Sequence, residues 1–272
     1  MEAIETLVRS LRLEPVGPNR FRGENTGSGP GVIFGGQLMG QSIVAALAGQ
    51  EDKYVKTLHI VFPRGGSFDV PVDITVDPMH SGRTFGSSTV TITQGDRLIT
   101  RSIVLLSAFE PDVIRHADSA PVVEPPPSDE GAGEWQVRIS GNLDISDPAF
   151  VAPPDLEAWS RFPGAPDDPA IDQALIAYAT DGFLIATAML PHEGVGQSQA
   201  HDTLSTGVVS HTITFHEPAP ASEWVRLAQH SIYAGHGRVY GRGDIYREDG
   251  TLIASFVQDA MVKERAASAS GL

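Results

Sequence analysis

The 272-residue chain contains no cysteine. That excludes a disulfide framework, thiolate metal ligation and a cysteine nucleophile. No apolar run approaches the roughly 20 residues that a bilayer-spanning helix needs. The first residues, Met1-Glu2-Ala3-Ile4-Glu5, lack the basic-then-apolar layout of a signal peptide. Basic residues are scarce: 19 Lys and Arg stand against 34 Asp and Glu, a formal net charge of −15. Nucleic acid, whose phosphates need clustered cations, is therefore disfavoured as a partner. An anionic small molecule stays compatible, provided some of the cations gather locally. What remains is 41% hydrophobic and 19% charged, an ordinary globular balance. The simplest reading of these absences is a soluble cytoplasmic protein without a stable membrane anchor.

What the chain does have is a pattern stated twice. Gly82-Arg83-Thr84-Phe85 opens an alternating run, passes a Gly95-Asp96 turn and returns as Leu98-Ile99-Thr100-Arg101-Ser102-Ile103-Val104. Gly237-Arg238-Val239-Tyr240 opens a second run, passes Asp249-Gly250 and returns as Leu252-Ile253-Ala254-Ser255-Phe256-Val257-Gln258. The copies lie slightly more than half the chain apart, so the sequence predicts two versions of one α+β unit.

Each copy supplies one long apolar helix and several strands. Leu38, Met39, Ile43, Val44 and Leu47 recur at helical spacing, which predicts a helix over 37–49. Asp167-Asp168-Pro169 is a helix start signal, and the apolar pattern behind it predicts a helix over 170–190. A short helix is expected over 1–14 and a loop over 24–31. Strands are expected over 54–62, 70–76, 209–215, 223–231, 238–246 and 252–262. Prolines 121, 125, 126 and 127 among acidic residues mark 116–134 as an extended linker. The expected division is thus one unit over 1–115, the linker, and a second unit over 135–272. Helices segregated from strands argue α+β with antiparallel sheets, because a parallel sheet needs a helix after nearly every strand.

At this point particular residues carry a resemblance. Val32-Ile33-Phe34-Gly35-Gly36-Gln37 resembles the [VF]FGGQ signature of the acyl-CoA thioesterase II family. Thr57 to Arg64 resembles its SLHxYFLRPG strand, and Ser81-Gly82-Arg83-Thr84-Phe85 its DGRSF. Ala174 to Asp181, running on to Leu190-Pro191-His192, resembles its second helix, and Ser255-Phe256-Val257-Gln258-Asp259 its terminal SxxQE strand. Five motifs stand in the family's order across roughly 32–262. The resemblance implies a double hot-dog fold, two antiparallel sheets each wrapped round a long central helix. It implies hydrolysis of acyl-CoA to a free acid and coenzyme A, with no cofactor and no covalent nucleophile, and association into a homo-oligomer. The absence of a Gly-x-Ser-x-Gly elbow agrees with the missing nucleophile.

The family orients one water with an Asp, a Ser or Thr, and a Gln. The Gln falls on Gln258. The Asp, which stands in an LDHxxWFH strand in the family, falls on Ser210 of Val209-Ser210-His211-Thr212-Ile213-Thr214-Phe215-His216. The hydroxyl falls on Ile232, and Ser231 serves only if the register is offset by one residue. General-base assistance is worth about 10²- to 10⁴-fold, so the expectation is weakened turnover. His211, Asp181 and Asp202 are the groups that would replace the carboxylate. A non-catalytic acyl-CoA-binding protein on the same fold is the alternative.

Gly35 and Gly36 at a helix start fit two roles equally: backbone donors toward a thioester carbonyl, or close packing. Arg83 and Arg238, with Arg64 and Arg242, are candidates to grip coenzyme A phosphates. His211 and His216, five apart on one strand, fall on opposite faces, which disfavours a metal site. Gly235, Gly237, Gly241 and Gly243 precede a strand rather than a helix, so they mark bulges or close packing, not a phosphate loop.

Overall fold

The computed structural model describes residues 4–27, 31–123, 125, 135–141 and 143–265. The N-terminal half runs α1 (Ile4–Leu11), β1 (Glu14–Gly17), β2 (Arg20–Gly23), α2 (Gly35–Leu47), β3 (Tyr54–Val61), β4 (Val72–Ser81), β5 (Phe85–Gln94) and β6 (Arg97–Ser107). The C-terminal half runs β7 (Gln136–Ile139), β8 (Asp155–Arg161), α3 (Pro169–Thr180), α4 (Leu184–Met189), β9 (Leu204–Phe215), β10 (Val225–Gly235), β11 (Arg238–Arg247) and β12 (Leu252–Glu264). The α+β class and the two long apolar helices follow the sequence pattern. No helix among the described residues is long and apolar enough to cross a membrane.

Three expectations are corrected. The strands form one continuous antiparallel sheet of 12, in the order β1-β2-β4-β5-β6-β3-β9-β12-β11-β10-β8-β7, rather than two separate sheets. The junction is β3 against β9, from Thr57↔Thr214 to Val61↔Ser210. An unpaired strand edge is a row of unsatisfied backbone groups, and each half closes the other's. The helix expected over 170–190 breaks at Asp181–Phe183 into α3 and α4. Part of the expected loose linker is docked: Ser119 bridges Thr251, and Ala120 N donates to Gly250 O at 3.2 Å. Residues 126–134 of that linker lie outside the described residues.

The largest core cluster draws on both halves at once, including Leu38, Met39, Ile43, Leu58, Ile60, Leu175, Ile176, Ile213 and Phe256. At its centre α2 and α3 lie antiparallel, with Gly36 against Tyr178 and Gly40 against Ala174. Glycine is required there by space. A Cβ on Gly36 would meet Tyr178 O at 2.6 Å, and one on Gly40 would meet Leu11 Cδ2 at 2.8 Å and Ala174 Cβ at 3.3 Å. The helix contact is therefore nearly backbone to backbone. Gly207, on β9, has no atom within 4 Å of its Cβ position. Gly40→Leu should cost about 1–3 kcal/mol by overpacking, read as a lowered urea midpoint. Gly207→Ala should stay within about 0.5 kcal/mol of the parent.

Candidate active site

In an antiparallel sheet, residues directly opposite each other project to the same face. One cross-strand row reads Ile60, His211, Gln258, Gly241, Ser231. Its side chains point to the helix side, where Gln258 and His211 are each 1% exposed and Ser231 is 7% exposed. The next row reads Val61, Ser210, Asp259, Tyr240, Tyr233 and faces the opposite way. Of the three groups assigned to water, the fold thus brings Gln258 and Ser231 to one face, separated by Gly241, and leaves Ser210 on the other.

Ser231 turns inward in step with Leu227 and Gln229, which are buried on the same strand. The register of β10 on β11 then shifts between Ser231 and Tyr233, so Ile232 has no partner on β11 and is 53% exposed. An extra residue in one strand resets the alternation, and Tyr233 turns outward beside it. A second irregularity, between Asp259 and Ala260, leaves Val209 unpaired beside Ser210.

His211 links this row to the helices. Its Nε2 lies 3.1 Å from Thr180 Oγ1, and its Nδ1 lies 3.1 Å from Gln258 Oε1. The Phe256 ring stacks on the imidazole at 5.4 Å. Thr180 Oγ1 also donates to Ala177 O at 2.7 Å. Its one proton has two possible acceptors, Ala177 O and His211 Nε2, and that choice sets the tautomer. If His211 carries its proton on Nδ1, it donates to Gln258 Oε1, and Gln258 Nε2 has no partner among the described residues. If the proton is on Nε2, the Gln258 amide must turn and donate to Nδ1, which frees its oxygen. Either way one end of the buried amide is left without a partner among the described residues. Burial lowers the imidazole to about 4, against the opposing effect of its bond to Gln258. At neutral pH it is an uncharged orienting group. Two residues before Ser231, Gln229 faces the same side, and neither of its amide atoms has a partner among the described residues. Nothing in the sequence pattern had singled it out.

The start of α2 is occupied from within. Gly36 N donates to Asp181 Oδ2 at 2.9 Å, and Asp181 Oδ1 has no partner among the described residues. Burial raises this carboxyl to about 7, against the opposing effect of the Gly36 and Gly35 amides. The donors expected to face a thioester carbonyl therefore already face a carboxylate, and packing governs the glycines. Gln37, from the same motif, is fully buried and fastens the preceding loop. Its Oε1 accepts from Thr26 N (2.9 Å) and Thr26 Oγ1 (2.6 Å), and its Nε2 donates to Asn25 Oδ1 (3.0 Å). Asp202 is exposed in the turn before β9.

The arginines do not converge. Four strands separate β5 from β11 in the sheet, and the register puts Arg83, just before β5, at the opposite end of the sheet from Arg238. Arg238 pairs with Asp259 at 3.4 Å on the outer face, and Arg83 and Arg64 are exposed. Gly241 and Gly243 make room for neighbours: Cβ atoms there would meet Leu184 at 3.0 Å and the Phe256 ring at 2.5 Å.

Comparison with known proteins fits this arrangement. Residues 25–107 match the acyl-CoA thioesterase N-terminal domain, and residues 116–262 match the acyl-CoA thioesterase C-terminal domain. The chain belongs to the acyl-CoA thioesterase family. It is thereby a thioester hydrolase. It is 26% identical to acyl-CoA thioesterase 2 of Haemophilus influenzae, over 96% of this chain and 98% of that one. It is 26% identical to human acyl-coenzyme A thioesterase 8, over 93% of this chain and 87% of that one. Its structure is similar to that of an acyl-CoA thioesterase II from Mycobacterium marinum, with TM-score 0.80 and 27% identity over 96% and 98% of the two chains. A hot-dog-fold protein from Alicyclobacillus acidocaldarius shares the fold at TM-score 0.76 and 18% identity, over 96% and 99% of the two chains.

The two buried titratable groups act oppositely on stability. Native Asp181 holds its proton up to about 7, whereas an unfolded carboxyl releases it near 3.8. The native state binds more protons across that window, so this contribution falls as pH rises through it. Native His211 loses its proton at about 4, against 6.5 when unfolded, so its contribution falls as pH drops from 6.5 to 4. Urea midpoints measured from pH 4 to 8 should therefore show Asp181→Asn gaining on the parent as pH rises. His211→Gln should flatten the acid side.

Proposed function

We propose that the chain hydrolyses acyl-CoA to a free acid and coenzyme A, by direct attack of a water that Gln258 orients. The observation that carries this reading is the match of both thioesterase domains, in order, over the two halves of the chain. Gln258, the residue that the family resemblance assigns to water, is buried with one amide end unpartnered among the described residues. His211 fixes the amide, and Ser231 offers a hydroxyl on the same face across Gly241. The attacking oxygen forms a bond to the thioester carbon, the C–S bond breaks, and the proton shed by the water ends on the departing thiolate. A thiol of pKa about 8.5 departs readily as thiolate, so the leaving group makes little demand on a general acid.

Proton removal from the water is the weak step. The family's carboxylate position is Ser210, on the other face. Asp259 is paired with Arg238, and Asp181, although raised to about 7, is enclosed at the start of α2 with Oδ2 held by the Gly36 amide. His211, lowered to about 4, accepts a proton poorly. Turnover should therefore be slower than full general-base assistance, about 10²- to 10⁴-fold, would give.

Steady-state release of free thiol from acyl-CoAs of graded chain length tests the proposal, with binding followed in parallel. Gln258→Ala should lower kcat by about 10²-fold, the scale for losing one positioned polar group at a reacting centre. Ser231→Ala should lower it less. Binding of acyl-CoA with no turnover above background would overturn the hydrolytic reading and leave an acyl-CoA-binding protein.

A further inference from the structure

A cavity of about 700 Å³ opens where α2 ends and α3 begins. Its walls include Val44, Leu47, Phe109, Ala170, Ile176 and Phe215. That size and apolar character are typical of small-molecule sites. It lies apart from the Gln258 row. Phe215 is four residues along β9 from His211, about 13 Å at 3.3 Å per residue, and the core side chains Ile213 and Phe256 occupy the space between.

The internal repeat explains why a cavity sits there. The helix pair is antiparallel, so the end holding Gly36 and Asp181 and the end holding this cavity are equivalent positions of the two copies. Aligning Leu98–Val104 with Leu252–Gln258 puts Val104 where the other copy has Gln258. Val104 pairs with Leu58 as Gln258 pairs with His211, and both Val104 and Leu58 are buried. This end therefore has the shape of a binding site without the polar pair that would hold a water.

Four of the rim charges are already compensated within the protein. Asp168 accepts from Ala170 N (2.9 Å) and Ile171 N (3.4 Å), and Asp172 accepts from Ala221 N (2.8 Å). Glu217 pairs with Arg115 at 2.9 Å, and Lys53 with Asp52 at 2.9 Å. The carboxylates among the lining residues outnumber the cations, which disfavours an anionic head. Arg247 lines the chamber and donates through Nη2 to Pro218 O. A guanidinium fork beside an apolar chamber whose rim carries more carboxylates than cations suits a neutral hydrogen-bond acceptor rather than an anion.

We infer that this cavity is a second, non-catalytic ligand site for an uncharged single-chain lipid whose hydroxyl or carbonyl head accepts a hydrogen bond from Arg247. The aliphatic chain lies between the end of α2 and the start of α3.

Calorimetric titration of the full chain with 1-decanol, decanoate and decyltrimethylammonium tests it. The expected result is saturable 1-decanol binding, one per chain, at least about tenfold tighter than either ion, a gap of about 1.4 kcal/mol. Val44→Phe, which fills the cavity, should weaken 1-decanol binding at least tenfold and leave kcat/KM for acyl-CoA within twofold. Ala170→Trp fills it from the other helix and serves if the first variant does not fold. Gln258→Ala should bind 1-decanol as the parent does, so loss of hydrolysis and loss of this site are read separately. No saturable binding, equal or tighter binding of an ion, or unchanged binding in a folded cavity-filled variant would overturn the inference. So would 1-decanol acting as a simple competitor of acyl-CoA, since the cavity would then be an arm of the substrate site.

Discussion

The pairing of β3 with β9 is the contact on which the rest of the molecule depends. Five residue pairs, Thr57↔Thr214 through Val61↔Ser210, join strands from opposite halves. They turn two strand edges into one sheet interior. Because the sheet is continuous, α2 and α3 lie on the same face and share one core. The same register puts Ile60 beside His211, so the polar row of the C-terminal half is backed by an N-terminal strand. Neither half builds its share of the site alone.

Within that frame the site is governed by burial rather than by charge attraction. Asp181 and His211 are both held away from water, and burial moves each toward its neutral form. The Asp181 carboxylate at the start of α2 and the imidazole between Thr180 and Gln258 clamp the C-terminal end of α3 from two sides. A rigid, uncharged orienting histidine suits a site that positions water. It suits proton abstraction poorly. The hydrolysis we propose would therefore be limited by proton removal rather than by the placement of the groups that remain.

Much of this was legible in the sequence, and what was not has identifiable causes. Helical spacing located α2 and the start of α3, and the two turn signals located the hairpins of β5–β6 and β11–β12. The break after Thr180 was hidden because apolar residues continue at helical spacing through Leu184 and Ile185. The single sheet was hidden because periodicity reports a strand's faces and is silent on its edge partners. The bond from Gly36 to Asp181 joins residues 145 apart and leaves no local trace. Gln258 was singled out through its motif, and the fold buries it. The inward place of Ser231 was obscured because the motif alignment fell on Ile232, whereas alternation from Leu227 and Gln229 puts Ser231 inside.

That bulge has a consequence for how such chains diverge. It acts as a phase reset: residues on its two sides obey opposite parity, and one unpaired residue decides which side chain the strand presents to the interior. In a strand of this kind, gain or loss of a single codon exchanges every inward residue on one flank at once. Substitution alters one contact at a time. Families built on bulged strands can therefore move a hydroxyl into or out of a site by slippage, while position-by-position comparison records only a lost residue.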